Sequence, residues 1–238
     1  MVLNAVDPKA PPSKLAWAAE APRAILGLTK LLAAWPEIRN VPQGDGRPLL
    51  LLPGLLNADR SLLGLKLYLD HIGYATHGWE LGRNLGPRSI GGPEGPLLRQ
   101  RIEAIRDAAG APVTLIGVSL GGIMARIMAH RHPELVREVI TISSPFCGSG
   151  RATNVWLAYE LVSGERVDSP AAQAFLEEAA RPLPVPSTAI WSRSDGLVNG
   201  LNCYDPGGRS IEVKSGHLWV QMRAEVLCAV ANAIGERQ

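Results

Sequence analysis

The chain has 238 residues, 46% of them hydrophobic, which is enough for one large core. Its net charge of +2 comes from acidic and basic residues mixed along the whole length. There is no basic run and no basic stripe with interleaved aromatics, so nucleic acid is excluded as a partner. The three cysteines, Cys147, Cys203 and Cys228, have no CxxC spacing. That indicates neither a zinc site nor a disulfide framework, although a single Cys147–Cys203 bridge stays open.

Residues 1 to 13 are Pro-rich and read as irregular. Residues 1 to 23 show neither the apolar core nor the cleavage pattern of a signal peptide, and no stretch approaches the roughly 18 apolar residues of a membrane span. The expectation is a cytoplasmic protein with no stable membrane insertion. Ile25, Leu28, Leu32 and Trp35 recur at helical spacing and predict an amphipathic helix over 16–36. It either packs on the domain or faces a lipid surface, for which it carries few basic residues. Residues 1–45 are read as an N-terminal extension and 46–238 as the main domain.

From there strands and helices alternate. "RPLLLLPGLL" (47–56) reads as a buried strand ended by Pro53-Gly54, and "SLLGLKLYLDHIG" (61–73) as a helix. "YATHGWEL" (74–81) is a strand and "LLRQRIEAIRDAAG" (97–110) a helix with a glycine stop. "PVTLIGVS" (112–119) is a strand, "LGGIMARIMAHRH" (120–132) a helix and "VREVITISSP" (136–145) a strand. "STAIWSRSD" (187–195) and "RSIEVKSGH" (209–217) are two further strands, and 218–235 is a closing helix. Strands apolar on both faces point to an α/β fold, a mostly parallel central sheet with helices on both faces. Residues 146–186 break the alternation with a long, mostly helical block. A segment of that length between strands is usually functional and reads as a helical lid insertion.

Ser119 sits between glycines where a buried strand meets a helix. Ligands of open α/β sheets lie beyond the carboxyl ends of the strands, so the serine stands where a nucleophile would. Gly117 and Gly121 remove side chains that would clash with so sharp a turn. A serine nucleophile needs a base, and the base an orienting acid. His71 and His77 precede it, near a helix end and in a strand. His130 and His132 lie at the far end of the helix that begins at the serine. At about 1.5 Å of rise per residue His130 is roughly 15 Å away along the axis. His217 follows a strand and precedes the last helix, again at a carboxyl end. Asp195, which ends a strand, is favoured as the acid over Asp205, whose Asp-Pro-Gly context is that of a turn former. The order Ser119, Asp195, His217 is that of an α/β-hydrolase triad. The backbone N–H groups of Leu120 and Leu55 are the candidate oxyanion donors.

Taken together, "PGLLN" (53–57), "GVSLGG" with Arg126 in its helix, "SSPFCGS" (143–149), "SRSDGLV" (192–198) and "SGH" (215–217) resemble the α/β-hydrolase superfamily, bacterial esterase/lipase group. The resemblance spans about residues 45 to 235. It departs from that group in having Pro53 before the oxyanion-loop glycine and Phe146-Cys147 in place of a His-Lys or His-Arg pair. It implies the α/β-hydrolase fold and ester hydrolysis through an acyl-enzyme, with a small-molecule or lipid ester as substrate and no metal or cofactor. Leu56 and the stretch "NVWLAYELV", with Val155, Trp156, Tyr159 and Leu161, either line an acyl site or form the packing face of a lid helix. Thioesterase, amidase or lactonase chemistry on the same triad, and an inactive hydrolase-fold binding protein, stay open as alternatives. The sequence does not specify the oligomeric state. Cys147 is a further candidate as a redox-sensitive thiol.

Overall fold

A computed structural model describes residues 7–236, apart from the side chains of Leu28, Leu32 and Trp35. The N-terminal segment forms three short helices, α1 (Lys14–Ala18), α2 (Glu20–Ala33) and α3 (Trp35–Arg39), where the periodicity predicts a single one. Pro22 and Pro36 explain the breaks, because a proline ring clashes with the carbonyl four residues back and cannot extend the preceding helix. The buried face of α2 is Glu20, Ala24 and Gly27, while Ile25 is 61% exposed. The predicted apolar stripe therefore does not face the domain at Ile25. Its other members, Leu28, Leu32 and Trp35, have side chains outside the described residues.

The remaining elements follow the predicted order. β1 (Pro48–Leu52) leads through a 3-10 turn at Asp59–Leu62 into α4 (Leu63–His71) and β2 (Ala75–Gly78). α5 (Pro96–Ala109), β3 (Val113–Val118), α6 (Leu120–Arg131) and β4 (Val136–Ile142) come next. The block between β4 and β5 carries α7 (Trp156–Ser163) and α8 (Pro170–Ala180). β5 (Ser187–Trp191) and β6 (Arg209–Glu212) complete a six-stranded sheet of order β2-β1-β3-β4-β5-β6, parallel throughout. α9 (Ala224–Gly235) closes the chain. The predicted helix over 218–235 begins later than expected. Trp219 lies at φ 54°, a 3-10 turn spans Val220–Met222, and Arg223 is extended before α9 starts.

Two apolar layers cover the sheet. Leu49, Leu51, Ile116 and Ile140 pack with α4 and α9 on one face. Leu50, Leu52, Leu115 and Val139 pack with α5 and α6 on the other. That alternation is the strand period of two expressed on both faces. α6 is buried from Gly121 to Ala129, which is why its sequence lacks a polar face. The strand ends lie level: Leu52 is opposite Gly117, Val118 opposite Ile142, and Ile142 opposite Ile190. The loops after β1, β3 and β5 therefore emerge along one edge. No helix among the described residues is long and apolar enough to cross a membrane.

Candidate active site

Ser119 caps α6 with φ 53° and ψ −121°, a conformation that L-residues reach only under strain. Its N–H donates to the Ile142 carbonyl at 2.9 Å, which ties the turn to β4. A Cβ on Gly117 would overlap the backbone of Gly122, and one on Gly121 the Leu52 carbonyl. The two glycines are thus demanded by close approach of α6 to β1 and β3. The Cα of Gly54 lies against Ser119 from the other side, since a Cβ there would sit 3.3 Å from the serine Cβ.

Asp195 and His217 come together at the ends of β5 and β6. The His217 Nδ1–H donates to Asp195 Oδ2 at 2.7 Å, the tautomer being set by an acceptor that can only accept. Asp195 Oδ1 accepts from the N–H groups of Leu197 and Val198, both at 2.9 Å, so the carboxylate is fixed in both oxygens. Burial works to lower the His217 pKa. The Asp195 charge, its hydrogen bond and the charge of Glu20 outweigh it and leave the ring above its ordinary value.

Ser119 and His217 line the same open cleft of about 510 Å³, together with Leu55, Leu56, Asn57, Arg60, Leu218 and Trp219. A second cavity of about 110 Å³ opens off it at Leu55, Ser119 and Val155. Its walls include Ile123, Trp156, Tyr159, Val167, Ala172 and Phe175. Val155, Trp156 and Tyr159 line that cavity, and Leu56 the wider cleft. Leu161 does not: it is 85% exposed. One helical turn beyond Leu157, it shares the outer face of α7 while Trp156 and Tyr159 point inward.

Leu55 and Leu120 line the same pocket as Ser119, and no hydrogen bond joins either N–H to another described residue. The loop that carries Leu55 is held by buried Asn84. Its Nδ2 donates to the Pro53 carbonyl at 2.7 Å, and its backbone exchanges 2.7 Å bonds with Leu56 and Asn57. Nothing in the local sequence around Asn84 signals that role, because its partners are some 30 positions away.

The rival acid, Asp205, is elsewhere. It forms a buried ion pair with Arg126 Nη1 at 2.7 Å and accepts from the Ser187 hydroxyl at 2.9 Å. The Arg126 guanidinium also stacks 3.9 Å from the centre of the Phe146 ring and binds the carbonyls of Ala179 and Arg181. Phe146 therefore packs beneath the Arg126 guanidinium. All three cysteines are free. Burial pushes the Cys147 and Cys203 thiols up, the opposite direction from an activated thiolate. No group of three or more His, Cys, Asp or Glu among the described residues could hold a metal ion.

A sequence profile described as the alpha/beta hydrolase fold matches residues 98–177. Among solved structures, the mature lipase BlEst2 of Bacillus licheniformis superposes with a TM-score of 0.59 at 15% identity, over 82% of this chain and 94% of that one. A monoacylglycerol lipase of Paleococcus ferrophilus gives 0.59 at 15% identity, over 83% and 97%. The α/β-hydrolase enzyme MGS-MChE2, from a metagenome of lagoon sediments, gives 0.54 at 23% identity, over 83% and 94%. No curated protein sequence matches significantly. The chain has the α/β-hydrolase fold.

Proposed function

We propose that this α/β-hydrolase-fold protein is a serine hydrolase that cleaves carboxylic esters through Ser119, His217 and Asp195. One observation carries the reading: His217, bonded to buried Asp195 at 2.7 Å, lines the same cleft as Ser119, which sits on a strained strand-to-helix turn. Strain of that kind collects at sites where a side chain must be presented.

In the proposed reaction the His217 Nε2 takes the Ser119 hydroxyl proton as the oxygen attacks the ester carbonyl. The Leu55 and Leu120 N–H groups receive the charge that develops on the carbonyl oxygen. The His217 imidazolium, held by Asp195, gives its proton to the departing alcohol and leaves an acyl-serine. Water, deprotonated by His217, then releases the acid and restores the serine.

The two cavities suggest an orientation. His217 lines the wider cleft and is absent from the walls of the 110 Å³ pocket. The leaving alcohol must meet His217, so it occupies the wider cleft, and the acyl chain occupies the apolar pocket under Trp156 and Tyr159. Residues 146–186 act as the lid over that pocket.

The test is the initial rate of wild type and Ser119→Ala on p-nitrophenyl esters from acetate to palmitate, beside fluorophosphonate labelling. The reading requires an active, labelled wild type and a mutant that is neither. Thioester and amide analogues, if turned over faster than every ester, move the assignment to another acyl hydrolase. A wild type that takes no label is a binding protein on a hydrolase fold.

A further inference from the structure

The N-terminal segment, which the family resemblance leaves out, places a buried carboxylate between the two loops of the acid and the base. Glu20, the first residue of α2, is 2% exposed. Its Oε1 accepts from the Gly196 N–H at 2.7 Å. Its Oε2 accepts from the N–H groups of His217 at 2.7 Å and Leu218 at 2.9 Å. Gly196 is the residue after Asp195, so a single side chain grips the backbone next to the acid and the backbone of the base. Side chains at Gly196 and Gly216 would collide with Ala16 and Glu20 respectively, so the fit is close on both loops. Arg23, one turn along α2, donates to the Ser194 carbonyl at 2.7 Å and secures the same acid loop.

We propose that Glu20 is a positioning residue for His217: it sets the acid and base loops against each other and places a second carboxylate behind the imidazolium formed in each half-reaction. The inference rests on the serine-hydrolase reading above. The three N–H donors come from the acid and base loops and none from α2, so this buried carboxylate binds the site loops and does not cap its own helix. The loops are also joined directly, by Ser194 Oγ to the Ser215 carbonyl at 3.1 Å and by the Ser215 N–H to Ser192 Oγ at 3.2 Å. Loss of Glu20 therefore shifts the loops without releasing them.

The charged groups around His217 are few. Asp195 approaches from the β5 loop and Glu20 from α2, with Arg23 4.0 Å from Glu20. Arg60 lines the far side of the cleft, Arg223 lies against α2 at Gly27, and Lys214 precedes His217 on its own loop. Both carboxylates favour the charged ring, and Glu20 contributes to the raised His217 pKa after Asp195.

The full chain tests this through Glu20→Gln, which keeps the size, removes the charge and leaves an accepting oxygen for only one of the two loops. The expected result is a folded protein whose His217 ring, followed by NMR, titrates at lower pH than in wild type. Its acid limb of kcat/KM moves the same way, and kcat falls about tenfold or more with KM little changed, as expected for a lost charge-assisted hydrogen bond. A purely structural glutamate would change thermal stability and leave the His217 titration alone, and that result overturns the proposal. The NMR readout does not need turnover. If wild type is inactive and Glu20→Gln still shows the titration shift, the ester-hydrolase reading falls and the hold of Glu20 on His217 stands. Should Glu20→Gln not fold, Glu20→Asp carries the test: it keeps the charge but is one methylene too short to hold both loops. Reduced kcat at unchanged KM supports the proposal, and wild-type kcat overturns it.

Discussion

Two aspartates competed for the acid role, and their surroundings predict opposite phenotypes for the same chemical change. Asp205→Asn removes the charge that pairs with Arg126, where the two side chains are 3% and 0% exposed. Breaking a buried pair by removing one partner costs about 3–5 kcal/mol, because the other charge stays buried. For a domain of this size that is a fall in Tm of roughly 6–20 °C. Arg126 acts on the α8 end and Phe146, away from the cleft, so kcat on p-nitrophenyl butyrate at 25 °C stays within about tenfold of wild type. Asp195→Asn does the reverse. An amide nitrogen facing His217 Nδ1 favours the wrong tautomer, and losses of about 10⁴ in kcat, near 5 kcal/mol of barrier, follow such a change. An asparagine oxygen still accepts from the Leu197 and Val198 N–H groups, so Tm moves by only a few degrees. Circular dichroism melts and initial rates on the two variants decide the matter. Asp205→Asn with wild-type Tm and a thousandfold loss of kcat would refute the reasoning, as would Asp195→Asn with nearly full activity.

The pH dependence should show two opposed trends. His217 must be neutral to take the serine proton, so kcat/KM rises with pH through its raised pKa, and the acid limb lies above that of a free imidazole. A histidine whose folded pKa exceeds its unfolded one stabilises the fold fully below the unfolded value and loses that contribution as pH rises through the folded one. Tm should therefore fall across the window in which activity climbs, and His217→Ala should flatten that part of the Tm profile. Chain-length preference offers a separate test. Ala172 lines the 110 Å³ pocket from α8, and Ala172→Leu narrows it. The p-nitrophenyl ester optimum should move to shorter chains, with rates on acetate little changed. An optimum that stays put would remove the acyl chain from that pocket.

The strands and the serine turn were legible because each is encoded locally. A run such as Leu49 to Leu52 is apolar on both faces, and only a parallel sheet covered twice needs that. The sequence places His217 between a strand and the last helix, and Asp195 lies four residues past the end of β5, in the loop that meets His217. The N-terminal helix was misread at Ile25 because periodicity reports an apolar stripe and not its partner. The face that packs carries Glu20, Ala24 and Gly27, small residues and one charge that local pattern reads as the solvent side. Glu20 is buried because its three partners come from residues 196, 217 and 218, and no local signal carries separations of that size. The start of α9 was misplaced for a related reason. No proline or glycine marks the break at Trp219, which the loop geometry beside His217 imposes.

Five non-glycine residues have positive φ among those described, and three of them, Leu56, Ser119 and Trp219, ring the cleft. Each such residue costs of order 1–3 kcal/mol and persists only where its surroundings over-determine it. Each of these three has its own buried restraint. Leu56 is pinned through its N–H to the Asn84 carbonyl at 2.7 Å. Ser119 is pinned to β4 and pressed between β1 and α6, where only glycine fits at 117 and 121. Trp219 follows Leu218, whose N–H is held by Glu20. The three restraints come from different parts of the chain: the loop after β2, the central sheet and the N-terminal helix. The cleft is thus assembled by long-range contacts that converge on one edge of the sheet. Residues 7–39 belong to that assembly, because the Glu20 carboxylate restrains the loop leading to Trp219 while it spans the acid and base loops.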